Sequence, residues 1–351
     1  MRTLIAALIV AGCSWAAAFA QAPPIRIDVS HVGPQVGQPV PDFRLVDHAG
    51  RAWTRDSLMG SQGLMLVFAR SADWCPYCKT QMVELQGRLG ELNARGLGLA
   101  VITYDSPAIL SEFAGRRGIG YPLLSDTGSK TIRSYGILNT TVAANSTNFG
   151  IPFPGTYVLN RQGVVISRYF EDTHQERTTV ASILLAVSPG RAPAAATRVS
   201  SSYLDVVTYP SDDVVAPGTL FSLVFDVTPR AKVHVYAPGA KDYRVIGLTL
   251  DPNPLLLVRA LQYPPSEIYH FKPLDERVPV YQKPFRLTQR LAFTPAADKR
   301  AAVEGLGHVT ITGALHYQAC DDRLCFAPQS VPVAYTVKVA SLDTQRSPAA
   351  K

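Results

Sequence analysis

The chain has 351 residues, 47% of them hydrophobic and 17% charged, with a formal net charge of +7. That length exceeds what one hydrophobic core usually serves, so two domains are the natural expectation. The charge forms no basic stripe with interleaved aromatics, which argues against a nucleic-acid surface, and five cysteines are too few for a disulfide-scaffold protein.

The chain opens like a targeting segment. Arg2 supplies a positive start, an apolar run follows over 4–10, and Ala18, Phe19 and Ala20 make an A-x-A-like cleavage site. Residues 1–20 therefore read as a signal peptide, and the mature protein as exported and periplasmic. Val10, Ala11, Gly12 and Cys13 also resemble a lipobox, which would make Cys13 a lipid anchor. The apolar character that persists to Ala20 favours ordinary cleavage. Beyond this segment no stretch approaches the ~18 apolar residues of a membrane span. If Cys13 leaves with the signal, Cys75, Cys78, Cys320 and Cys325 remain, two close pairs in a compartment where disulfides persist.

A first domain is expected over 38–188. Segments 43–46 and 52–54 flank Ala49 and Gly50 as a small hairpin. The apolar run 64–68 reads as a buried strand, and a long helix follows Cys75, with Met82, Leu85, Leu89 and Leu92 on one face as core. Strands are expected at 97–103, 121–124, 155–160 and 164–169, and helices at 107–117, 129–135 and 176–187. That alternation predicts an α/β domain. Residues 139–152 interrupt it as a polar loop.

Residues 189–202, rich in Pro, Gly and Ala, read as a linker. Beyond it, over 203–340, short alternating segments at 221–227, 232–237, 244–250, 285–293, 309–317 and 331–339 predict an antiparallel sandwich without helices. The last two form a hairpin whose connection carries Cys320 and Cys325. Residues 341–351 read as a disordered tail.

The chemistry centres on Trp74-Cys75-Pro76-Tyr77-Cys78-Lys79. Pro76 suits a helix first turn, which puts the Cys75 sulfur at the positive helix end, where thiolate is favoured. Cys78 lies one turn on, placed to attack a mixed disulfide on Cys75. Lys79 stands where haem attachment needs histidine, and zinc would need two further ligands at short spacing, so no metal or cofactor is assigned. Trp74 and Tyr77 are candidate substrate-groove residues, Tyr77 being expected exposed. For Cys320 and Cys325 the residues alone leave two readings open. One is a redox pair; the other is a hairpin staple worth about 2 kcal/mol.

Pro41-Asp42-Phe43, the stretch 74–78 and Pro152-Phe153-Pro154-Gly155-Thr156-Tyr157 together resemble the redoxin (AhpC/TSA) branch of the thioredoxin superfamily. That resemblance implies a thioredoxin-like fold and makes Pro154 the superfamily's cis-proline beside the cysteines, with Phe153 bordering the groove. Peroxiredoxins of this branch carry Pro and Thr or Ser seven and three residues before their peroxidatic cysteine. Phe68 and Ala72 stand there instead, so disulfide exchange leads and thiol peroxidase (antioxidant) activity is the alternative. Residues 64–69 contain no acid, unlike the thioredoxin strand with its buried carboxylate.

Val235-Tyr236-Ala237-Pro238-Gly239 and the run from Tyr317 to Pro328 resemble the N-terminal periplasmic domain of the DsbD thiol:disulfide interchange proteins. That resemblance implies an immunoglobulin-like sandwich and makes Cys320 and Cys325 a second redox pair. The partners then implied are protein disulfide substrates and a thiol electron-donor protein.

Overall fold

The computed structural model describes residues 26–187, 192–271 and 275–348. The expected signal peptide and the Cys13 anchor lie outside these residues.

The first half is built on a seven-stranded sheet in the order β2-β1-β5-β4-β3-β6-β7. Its strands are β1 (Arg44–Asp47), β2 (Ala52–Thr54), β3 (Gly63–Phe68), β4 (Leu97–Thr103), β5 (Leu123–Ser125), β6 (Gly155–Leu159) and β7 (Val165–Phe170). Helices α1 (Pro76–Gly87), α2 (Leu89–Ala94), α3 (Pro107–Arg117) and α4 (Lys130–Ser134) connect them. Strand β3 is buried along its whole length, and its alternation splits the core in two. Met65 and Val67 face Met82, Leu85, Leu110 and Phe113. Leu64, Leu66 and Phe68 face Ile132, Tyr135 and Tyr157 on the other side. Parallel pairing of β3 with β4 and antiparallel pairing with β6 place the end of β3 at the sheet centre. The expected α/β domain is present there.

Two expected helices end differently. The helix after Cys75 breaks at Arg88, flanked by the weak helix formers Gly87 and Gly90, so Leu89 opens a separate short helix. The helix expected from 176 begins later, as α5 (Val180–Val187), because β8 (Arg177–Thr178) pairs instead with a strand of the second half.

That second half is strand-rich. One sheet runs β15-β18-β12-β10-β9, with β8 added beside β12. Its members are β9 (Thr197–Ser200), β10 (Leu204–Pro210), β12 (Thr219–Pro229), β15 (Leu256–Gln262) and β18 (Phe285–Phe293). A second sheet, β11-β21-β19-β14, uses β11 (Val214–Val215), β14 (Gly247–Leu250), β19 (His308–Tyr317) and β21 (Gln329–Val339). Val206, Phe225 and Leu287 of the first sheet share one core with Ile311, Leu315, Val333 and Val337 of the second. A third sheet, β16-β17-β13-β20, comprises β13 (His234–Tyr236), β16 (Glu267–Phe271), β17 (Glu276–Tyr281) and β20 (Ala319–Cys320). The helix α6 (Ala297–Glu304) interrupts what was expected to be helix-free, burying Val303.

Two further expectations are corrected. Part of the presumed linker is strand β9, paired with β10, and its Val199 packs onto the core of the strand-rich half. Residues 341–348 are not a loose tail over their described length. Leu342 is buried in the core of the first half, and the segment runs along α1 as a strap.

The halves are joined by more than a tether. Arg177 N–H donates to Gly218 O at 2.9 Å and Thr179 N–H to Leu220 O at 3.0 Å. Gly218 has φ +80°, and a Cβ there would overlap the Gln175 carbonyl oxygen, so only glycine admits this approach. Arg88 pairs with Asp212 at 3.1 Å and Arg290 with Glu171 at 2.8 Å across the same boundary.

Candidate active site

Cys75 is the N-cap of α1, with Pro76 in the first turn. Its sulfur accepts from Cys78 N–H at 3.3 Å, so a helix-end donor is aimed at it. Cys75 and Cys78 are disulfide-bonded, with Cα atoms 5.3 Å apart. Cys78 Sγ accepts from Arg70 N–H at 3.3 Å and from Arg177 Nη2 at 3.4 Å. Both cysteines are buried.

The loop before Cys75 is held from below by Asp105. Its carboxylate accepts from Ala72 N–H at 2.6 Å and from Ser71 Oγ at 2.9 Å. Burial pushes the Asp105 carboxyl up to about 6 against those hydrogen bonds. A buried carboxylate is thus present although 64–69 contain none; it follows β4 rather than lying on β3 and bonds the loop, not the cysteines. An acid just past the carboxyl end of a central strand was the available signal for it.

From above, the strap grips the same loop. Asp73 accepts from Arg346 Nε at 2.8 Å and from Ser347 N–H at 2.7 Å. Burial opposes the Asp73 charge, but the Arg346 and Ser347 hydrogen bonds outweigh it and hold the carboxyl below its ordinary range. Lys79, fully buried, donates to Gln345 O at 2.5 Å and lies 3.7 Å from Asp343.

Trp74 is half-buried, donating from Nε1 to Tyr104 Oη at 2.9 Å, with the Arg70 guanidinium 4.7 Å from its ring centroid. Tyr77, expected exposed, is buried. Its hydroxyl donates to Pro295 O at 3.1 Å and accepts from Gln175 at 3.2 Å, because the second half docks over it. Phe153 is also buried. Pro154 directly precedes β6, whose Gly155 pairs with Phe68, the last residue of the strand that leads into the cysteine loop. Its peptide bond is trans, since no cis bond occurs among the described residues, which corrects the cis expectation. Trans is the intrinsically favoured isomer, by about 0.5–1 kcal/mol. Arg177, Asp105 and the strap were missed; Arg177 and the strap carry no local motif.

Cys320 and Cys325 are also disulfide-bonded, with Cα atoms 4.1 Å apart. Cys320 is buried at the end of β20, paired with His234, whereas Cys325 is exposed. The Tyr236 hydroxyl lies 3.0 Å from Cys320 Sγ and 3.3 Å from Cys325 Sγ. Burial pushes the Tyr236 phenol well above its usual range, so it stays protonated. Tyr236, Tyr243, Tyr269 and His234 line a cavity of about 120 Å³ against this pair. No cluster of His, Cys, Asp or Glu able to hold a metal occurs among the described residues, and no described helix is long and apolar enough to cross a membrane.

Known proteins resemble the first half. The AhpC/TSA family matches residues 36–168. A putative peroxiredoxin of Mycobacterium tuberculosis is 26% identical over 134 residues, covering 38% of this chain and 83% of the relative. The thiol-disulfide oxidoreductase ResA of Halalkalibacterium halodurans is 25% identical over 133 residues, covering 38% of this chain and 66% of the relative. Among solved structures, the peroxidoxin BcpB of Mycobacterium tuberculosis is 22% identical with a TM-score of 0.36, covering 41% of this chain and 88% of its own. Residues 36–168 match the AhpC/TSA redoxin family and relatives named peroxiredoxin and thiol-disulfide oxidoreductase, and the chain is a thiol-based oxidoreductase of thioredoxin type.

Proposed function

We propose that the protein is an exported, periplasmic thiol–disulfide oxidoreductase that reduces protein disulfides through Cys75 and Cys78. The observation that carries this reading is the helix-capping Cys75 bonded to Cys78 one turn later. In the reduced enzyme the Cys75 thiolate attacks a substrate disulfide, forming a mixed disulfide and releasing one substrate thiolate. Cys78 then attacks Cys75 Sγ, releasing the second. Phe68 and Ala72, where peroxiredoxins carry Pro and Thr or Ser, support disulfides over peroxides as substrate. The signal-like start supports export, with a lipid anchor at Cys13 as the alternative attachment.

On the same reading the strand-rich half is a DsbD-like, immunoglobulin-like domain, and Cys320–Cys325 exchanges electrons with a thiol donor protein. Exposed Cys325 is the sulfur a partner thiol reaches. Thiol peroxidase activity is the second reading, favoured by the relatives named peroxiredoxins.

Side-by-side assay of insulin-disulfide reduction and hydroperoxide turnover by the purified protein tests the choice. Disulfide reduction, with Cys78→Ala trapping mixed disulfides on Cys75, is expected. Peroxide turnover without disulfide reduction overturns the reading in favour of the second.

A further inference from the structure

Arg177 lies beyond residue 168, where the AhpC/TSA match ends. It is buried, yet among the described residues no carboxylate accepts a hydrogen bond from it. Its Nη1 donates to the backbone oxygens of His174 and Glu176 at 2.9 and 2.5 Å, its Nε has no partner, and its Nη2 points at Cys78 Sγ at 3.4 Å. An uncompensated buried cation is costly, and a nearby anion offsets that cost. The group that turns anionic during thiol–disulfide exchange, and that Arg177 touches, is Cys78. The second half holds Arg177 in place through the ladder of β8 on β12, which fixes the backbone on either side of Gly218.

We infer that Arg177 is a catalytic residue of the redox site, stabilising the Cys78 thiolate that resolves the mixed disulfide, and that the second half acts on the redoxin chemistry by delivering it. This inference rests on the disulfide-exchange reading above. With a substrate sulfur on Cys75, the Cys78 thiol gives its proton to water. Its sulfur then attacks Cys75 Sγ, the Cys75–substrate S–S bond breaks, and the Cys75–Cys78 bond forms. The substrate sulfur leaves with the bonding pair and takes a proton from water, so two electrons pass from enzyme dithiol to substrate.

The other charges facing this centre are mixed. Arg70 adds to the positive field from the loop after β3, as does His174 when protonated. Glu171 and Glu176 oppose it, but they are engaged by Arg290 and Arg259 of the second half. Tyr77 is the remaining titratable neighbour. Burial lowers the Arg177 guanidinium to about 9, which leaves it cationic at neutral pH.

The test is a thiolate titration in full-length protein, which needs no substrate and so stands apart from the reductase assay. In a Cys13→Ser, Cys75→Ala, Cys320→Ser, Cys325→Ser background, Cys78 is followed by ultraviolet thiolate absorbance and by the pH dependence of iodoacetamide alkylation. With Arg177 intact, the midpoint is expected below the ordinary thiol value of about 8.5. Arg177→Gln is expected to move it up by about one pH unit or more, about tenfold less thiolate at pH 7, with Arg177→Lys intermediate. The same change should prolong the mixed disulfide on Cys75 about tenfold without slowing its formation. A midpoint at or above the ordinary value with Arg177 intact overturns the proposal even if Arg177→Gln fails to fold. A midpoint that Arg177→Gln does not move overturns it as well.

Discussion

The Arg346 guanidinium closes on the Asp73 carboxylate from 273 residues further along the chain, two positions before Cys75. The strap that carries it also pairs Asp343 with Arg117 at 2.8 Å and joins Asp343 N–H to Thr80 Oγ1 at 3.2 Å. Part of what closes the redox loop is therefore the distant segment 341–348.

A chain ending at residue 341 should open that loop. Cys75 in the reduced protein is expected to alkylate at least several-fold faster, as measured by mass spectrometry over time. Arg346→Ala alone removes one partly exposed ion pair, about 0.5 kcal/mol, and should have a much smaller effect. Equal alkylation rates in full-length and shortened chains would show that the strap does not gate the site.

The boundary between the halves should respond to pH. Glu84 accepts from Val180 N–H at 2.7 Å, and burial pushes its carboxyl up to about 8, with Asp212 adding to the shift. An acid with a raised folded value keeps its proton in the native state, while the unfolded chain releases it above about 4.5. The native state thus binds more protons across that window, and stability falls as pH rises from about 4.5 to about 8. Chemical denaturation at pH 5 and pH 8 should show greater stability at pH 5, and Glu84→Gln should flatten the difference. Stability rising over this range would refute the assignment.

Asp105 ties down the loop before Cys75. Asp105→Ala leaves the buried Ala72 N–H and Ser71 hydroxyl without their acceptor, a loss of about 1–3 kcal/mol in urea unfolding. Asp105→Asn retains an acceptor and should recover part of it. A substitution with no measurable cost would mean that solvent replaces the carboxylate freely.

The two sulfurs of the second pair differ in access, so they should differ in order of attack. Cys320→Ser leaves exposed Cys325, which is expected to form a mixed disulfide with a dithiol donor. Cys325→Ser leaves buried Cys320, expected to react at least about tenfold more slowly. Comparable trapping by both variants would reverse the inference drawn from burial.

Much of the fold was legible in local pattern. Strand 97–103 matches β4, 285–293 matches β18, and the uniform parity of Val331, Val333, Tyr335, Val337 and Val339 is one buried face of β21. Side-chain period is a property of a few consecutive residues, so it survives without tertiary information. The same holds for the placement of Cys75, Pro76 and Cys78 at the start of α1, which follows from their spacing. Local pattern failed where partners lie far along the chain. Residues 177–178 read as helix but pair with β12, and Tyr77 reads as exposed but is covered at Pro295. The strap reads as disordered but finds Asp73, Lys79 and Arg117. The sequence by itself determined the strand and helix that present the Cys75 and Cys78 sulfurs. Only the tertiary structure decided which charges surround those sulfurs, because Arg177, Asp105 and Arg346 reach the site through long-range packing that leaves no periodic trace.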